Sequence, residues 1–361
     1  MERTQCPNCR SSASCHPFYE VRGVPTNSCL LVDDRGRALD FPTGDIMLAV
    51  CGECGFIFNA AWDPDRTIYS DQYEETQGFS PTFNAFNRTI AEELISGYDI
   101  RGKTVLEIGC GKGEFLSLIC KLGGNRGIGY DPSFVPDRQR SEQDIRFVRE
   151  FFTGETRETA PDLLCCKMTL EHIAQPHRFL VSVRTVADRQ DSVIFFQVPD
   201  VRRILKEGAF WDIYYEHCSY FSSISLNRLF TDTGSAVRRI WTGYDDQYLM
   251  TIANPANSGA EMPAHDEDSV AAVIRSCGGF AAAAVPQPCR VVKPAPRMGR
   301  RRAAHGSLGF RVESRRISDD ARCARRDRAR SRHQPLPRRQ VSTGLWAENR
   351  RTGIPPRLPP R

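Results

Sequence analysis

No run in this 361-residue chain is both apolar and long enough to span a bilayer as a helix, so a membrane partner is not expected. The opening Met1-Glu2-Arg3-Thr4-Gln5-Cys6 lacks an apolar h-region. Nothing there marks the chain for secretion, and a cytoplasmic protein is expected. Its fourteen cysteines then read as thiols and metal ligands rather than disulfides. Residues 1–70 hold no basic cluster interleaved with aromatics, and no Asn-Pro-Pro-Tyr base pocket follows, so a nucleic-acid partner is not expected either. Lysine is nearly absent from the last seventy residues. What remains is globular text: 40% hydrophobic residues, a net charge of +5, and length for two or three domains.

The most informative stretch is Val105-Leu106-Glu107-Ile108-Gly109-Cys110-Gly111-Lys112-Gly113, a buried strand ending in a glycine turn before a helix at Glu114-Phe115-Leu116. Gly109 permits the sharp turn, and Gly111 and Gly113 let a ligand approach the backbone. A second strand, Asn125 to Tyr130, ends at Asp131, where a nucleotide-binding α/β unit places its ribose-holding acid. The turn is G-x-G-x-G, not the G-x-G-x-x-G of a dinucleotide site. With Glu107 ahead of it, it resembles motif I of the class I S-adenosylmethionine (SAM) methyltransferases. That resemblance makes Glu107, Gly109, Cys110, Gly111 and Asp131 cofactor-binding candidates.

Cys6-Pro7-Asn8-Cys9 and Cys51-Gly52-Glu53-Cys54 form a CxxC…CxxC pair. Each is a tight turn that aims two thiolates at one point, and together they supply the tetrahedral sulfur set that Zn²⁺ prefers. A closed four-cysteine site has no vacancy for Cys15, His16 or Cys29 and none for chemistry, so the metal is expected to fold the module. The spacer reads as a hairpin of Leu30-Leu31-Val32 against Ile46 to Val50 around Asp33-Asp34-Arg35-Gly36.

From about Asp99 to Asn254, strands alternate with helices, as in a doubly wound parallel sheet. The strand candidates are Val105–Ile108, Gly127–Tyr130, Leu163–Lys167 and Val193–Val198, with Tyr248–Ala253 as a late antiparallel edge strand. A helix over Asn84–Tyr98 precedes them, its apolar residues close to a 3.6 period. Cys165 and Cys166 read as core. In Tyr214-Tyr215-Glu216-His217-Cys218-Ser219-Tyr220-Phe221-Ser222, an acid and two tyrosines crowd an imidazole that can take a proton near neutral pH.

In this order, the paired CxxC, the Tyr-rich stretch from Tyr69, Val105–Gly113, Leu170-Glu171-His172-Ile173 and Tyr215–Ser222 resemble the zinc-containing sugar C-methyltransferases of deoxysugar biosynthesis. The likeness covers roughly residues 1–290. It implies a SAM-dependent C-methyltransferase that acts on a nucleotide-linked 4-keto-deoxysugar or related carbonyl substrate. Removal of an α-proton would be followed by in-line methyl transfer. His217 would be the base with Glu216 beside it, and His172 a second active-site histidine. Tyr214 would donate to sugar or oxyanion, and Tyr69 or Tyr73 would close over SAM. Alternatives are another small-molecule N- or O-methyltransferase, or a zinc-ribbon RNA-binding protein or RNA methyltransferase.

The expected fold is therefore α/β: a Rossmann-like methyltransferase core at 71–255, a zinc module at 1–70, and a degraded region at 256–361 that is disordered after about residue 290. From Arg290 onward about twenty arginines stand beside one lysine, Lys293, with no sustained apolar periodicity. A basic interaction tail and GC-rich DNA read out of frame both fit such text; the near absence of lysine favours the second.

Overall fold

The computed structural model describes residues 5–12, 14–67, 73–74, 76–135, 144–155, 160–256 and 269–283. Tyr69 and the Arg/Pro-rich segment, with its expected disorder, lie outside them. All described residues fall in one compact unit, and none of their helices is long and apolar enough to cross a membrane.

The N-terminal part runs through β1 (Cys15–Pro25), α1 (Arg35–Leu39), β2 (Thr43–Cys51) and β3 (Ile57–Asn59). The hairpin expected from Leu30 to Val32 does not form. β2 pairs antiparallel with β1, from Cys15↔Cys51 to Pro25↔Thr43, and β3 flanks β2 on its other side. Leu30 makes only an isolated bridge to Tyr73. The cause is local: Asp34 accepts from Arg37 N at 2.8 Å and caps a short helix where a hairpin turn was expected.

The chain continues through α2 (Pro81–Gly97), β4 (Thr104–Ile108), α3 (Glu114–Gly123), β5 (Arg126–Tyr130), β6 (Ile145–Val148), β7 (Leu163–Lys167) and α4 (Pro176–Val186). It ends in β8 (Val193–Pro199), α5 (Val201–Glu207), β9 (Ser219–Tyr220), α6 (Ser223–Asp232), β10 (Ser235–Gly243), β11 (Tyr248–Pro255) and α7 (Val270–Ala283). Ser80 caps α2 by accepting from Phe83 N at 3.2 Å, so this helix starts three residues before the expected Asn84. Its buried face of Phe83, Ile90, Leu94 and Ile95 packs in one cluster with Phe115 and Leu116 of α3 and Val105 of β4.

Seven strands form the central sheet in the order β10-β11-β8-β7-β4-β5-β6. β4 to β8 are parallel, and β11 and β10 are antiparallel. Tyr248–Ala253 is thus not an edge strand, because β10 covers it. Arg238 and Arg239 interrupt the alternation of β10 at a bulge, which hides it from pattern reading and suits an exposed edge. The chain leaves β4 toward β5 and β6, then returns to β7 and β8 on the other side. The carboxyl ends of β4 and β7 therefore frame a switch-point crevice, where open α/β sheets bind ligands.

β9 leaves the catalytic half and pairs with β3, Ile57↔Tyr220 and Phe58↔Ser219, completing a four-stranded sheet β1-β2-β3-β9.

Candidate functional site

A cavity of about 690 Å³ opens at that crevice. Its lining includes Glu107, Gly109, Cys110, Gly111, Asp131 and Tyr73 from the cofactor expectation, and His172, Tyr214, Glu216 and His217 from the catalytic one. Cys29, set aside as a metal ligand, lines it as well.

The glycine turn owes its shape to close packing. Gly109 has φ +68°, and a Cβ there would stand 2.0 Å from Thr169 Oγ1, which donates to the Lys167 carbonyl at 3.0 Å. Gly109→Ala meets both a left-handed backbone and an anchored neighbour, so it should lower stability by about 1–3 kcal/mol, read as a fall in Tm. Asp131 clamps the same turn: its Oδ2 accepts from Gly111 N at 2.8 Å, and its Oδ1 accepts from Ser133 N at 2.8 Å and Ser133 Oγ at 2.6 Å. A carboxylate has about four acceptor sites, so one remains for a ligand hydroxyl.

Glu107 on β4 is buried, and its Oε2 has no partner. Burial pushes its carboxyl up to about 8, against the charge of Lys167. Lys167, at the end of β7, is pulled down to about 8 by the same desolvation; it donates to Asn87 Oδ1 at 2.6 Å and lies 3.8 Å from the Phe115 ring centre. An orphaned buried acceptor under a glycine turn suits the methionine ammonium of SAM, and leaving it unmet costs on the order of 1–3 kcal/mol.

On the other side of the cavity, Met168 at φ +51° turns the chain out of β7 into a 3-10 turn, Leu170–His172. His172 meets His217 edge-on, ring centres 4.8 Å apart, and the Tyr214 ring also meets His217 edge-on at 4.8 Å. Burial lowers both imidazole pKa values, that of His217 well below its usual range with help from the neighbouring His172. Both shifts favour the neutral imidazole.

Glu216, expected beside His217 as its partner, directs its carboxylate elsewhere. It accepts from Asn27 Nδ2 at 2.9 Å and from Ser28 N at 3.1 Å, and Ser28 Oγ donates to it as well. It pins the loop that carries His217 to the N-terminal part. The carboxyl that clusters with the histidines is Glu171, which sequence reading passed over although it adjoins His172. Its donor atom and those of His172 and His217 lie within 4.8 Å of one another. Glu171 is 1% exposed, neither of its carboxylate oxygens has a partner, and burial pushes its pKa up to about 8.

Away from the cavity, Cys6, Cys9, Cys51 and Cys54 bring their Sγ atoms within 4.8 Å of one another. The two knuckles close alike: Arg10 N donates to Cys6 O at 2.9 Å and Gly55 N to Cys51 O at 3.0 Å, with Arg10 and Gly55 both at positive φ. Hydrogen bonds from Cys54 and Cys6 hold Cys51 down toward the thiolate. Four convergent soft donors fit Zn²⁺. Asn8 Nδ2 donates to Ser225 O at 3.0 Å and His177 N to Pro7 O at 3.4 Å, seating the first knuckle on α6 and α4.

The largely parallel sheet, the switch-point cavity and the glycine turn are those of the class I SAM methyltransferase fold. Residues 83–240 match the family described as a methyltransferase domain. A curated relative, the C-methyltransferase NovU of Streptomyces niveus, is 30% identical over 239 residues, covering 64% of this chain and 55% of its own length. The chain thus spans about half of that relative. Among solved structures, the SAH-bound magnesium protoporphyrin IX methyltransferase of Synechocystis aligns at 14% identity and TM-score 0.39, over 48% of this chain and 84% of its own. CalO1, a methyltransferase of calicheamicin biosynthesis in its SAH-bound form, aligns at 20% identity and TM-score 0.39, over 54% and 65%.

Proposed function

We propose that the chain is a SAM-dependent C-methyltransferase for a nucleotide-linked 4-keto-deoxysugar, or a carbonyl compound of that kind. The observation that carries this reading is His217, set edge-on against both His172 and Tyr214 and facing the same cavity as the glycine turn. Carbon is not nucleophilic until a proton leaves it. A base free of its own proton is what carbon methylation needs and what transfer to a nucleophilic nitrogen can do without. His217 takes the proton α to the ketone. The Tyr214 hydroxyl donates to the enolate oxygen, and His172 holds the sugar. Glu216 keeps the loop in register through Asn27 and Ser28. SAM supplies, when bound, the electrophilic methyl group that the enolate carbon takes in line. Tyr73 closes over that site, Glu107 meets the methionine ammonium, and Asp131 takes the ribose. Residues 1–70 act as a structural Zn²⁺ module held by Cys6, Cys9, Cys51 and Cys54, and residues 71–255 carry the chemistry.

The reading is tested by incubating the full chain with labelled SAM and a thymidine-diphosphate-linked 4-keto-6-deoxyhexose. New methyl label on a ring carbon supports it, and label confined to oxygen or nitrogen refutes it. Asp131→Ala removes a charge-assisted bond worth about 1.5–3 kcal/mol, so SAM affinity should fall at least about tenfold in calorimetry. Unchanged binding would take Asp131 out of the cofactor site.

A further inference from the structure

We propose that Glu171, His172 and His217 form a second metal site, separate from the four cysteines, which takes Zn²⁺ inside the cavity. Among the described residues, two clusters bring three or more metal-ligating atoms within 4.8 Å of one another; one is the cysteine set and the other is this triad. Two imidazoles and one carboxylate, with an open side toward the cavity, are a donor set for a borderline divalent ion. Mg²⁺ and Ca²⁺ favour all-oxygen shells instead.

Glu171 and His217 hold polar atoms without the partners that buried groups ordinarily have. Glu171 is 1% exposed with both oxygens unpaired, and His217 is 9% exposed with Nδ1 unpaired. Buried polar atoms are nearly always satisfied, so a carboxyl with neither oxygen engaged marks the place of a missing ligand. The nearby acid, Glu216, is committed to Asn27 and Ser28.

The spacing is also preset. Glu171 and His172 share a turn closed by His172 N to Thr169 O at 3.0 Å and Ile173 N to Leu170 O at 3.1 Å. The His217 loop is stitched to that turn by Ser219 Oγ to Ile173 O at 2.7 Å and Cys218 Sγ to Glu171 O at 3.7 Å. Ligand atoms around a tetrahedral zinc at about 2.0–2.2 Å stand roughly 3.4 Å apart. The triad, within 4.8 Å, has to close by at most about 1.4 Å to reach that size. Binding does not depend on the function proposed above, but its effect does. A metal that occupies the lone pair of His217 removes the acceptor for the substrate proton, so the filled site is an off state.

The test is to titrate Co²⁺ into the full chain already carrying its cysteine-bound zinc. One further equivalent is expected, with visible d–d absorption and without the near-ultraviolet band that cobalt gives with thiolates. Glu171→Gln should weaken that equivalent at least tenfold. SAM affinity monitors its folding, and if it fails to fold, His172→Gln decides in its place. No further equivalent in the wild-type chain, or one whose affinity neither substitution changes, overturns the site. If Co²⁺ binds as expected while no carbon is ever methylated, the function reading fails and the metal site stands. If methylation proceeds and no second equivalent binds, the reverse holds.

Discussion

His217→Asn should abolish methyl transfer and, with it, the exchange of the substrate's α-proton with solvent, while SAM binds as before. Asparagine keeps much of the size and one donor of the imidazole but has no basic lone pair. Its effect therefore reports proton removal more than packing. General-base catalysis contributes about 10²- to 10⁴-fold, and loss of at least that factor is expected in kcat. Deuterium exchange into the keto-sugar, followed without methyl donor turnover, isolates the step. If exchange persists at the wild-type rate, His217 is not the base. Because His217 is held neutral by burial and by His172, lowering the pH toward 6 should leave the base deprotonated.

Cys51→Ser should have the second-largest effect. Apparent binding free energies of structural zinc reach about 10–16 kcal/mol, and metal binding in such modules is coupled to folding. Cys51 also ends β2 and pairs with Cys15 of β1, so loss of the metal loosens the sheet at its anchored end. One zinc per wild-type chain is expected by elemental analysis, with none in the variant and a large fall in Tm. Catalysis should fail as well, because that sheet includes β9, and the Asn27–Ser28 anchor of Glu216 follows directly on β1. Zinc-free wild-type protein with an intact N-terminal sheet would refute the metal reading.

Local text was enough wherever local forces decide the outcome. Val105–Gly113, Asp131 and the four parallel strands were legible because buried parallel strands are short apolar runs, and glycine turns leave a spacing behind. Both CxxC knuckles were legible for the same reason. Pairing partners were not. Nothing in Ile46–Val50 says that it lies against His16–Val21 instead of the nearer Leu30–Val32, since register comes from packing between distant segments. The charged β10 was invisible because an edge strand need not alternate. Adjacency in sequence misled in the site itself: Glu216 neighbours His217 in the chain, yet its carboxylate faces Asn27 and Ser28, while the acid that clusters with His217 is Glu171, on the turn that carries His172.

The pairing of β3 with β9 sets a timetable for synthesis. Ile57 waits for Tyr220, more than 160 residues downstream, and at about 5–20 residues per second the ribosome takes roughly ten to thirty seconds to deliver it. During that interval the knuckles can already capture metal, but the outer edge of β3 is open to any passing strand. A nascent chain stalled before β9 should therefore aggregate more readily than one stalled just after it. Excising residues 83–240 for expression on their own would make that interval permanent from the other side, leaving the loop that carries His217 without the sheet it joins.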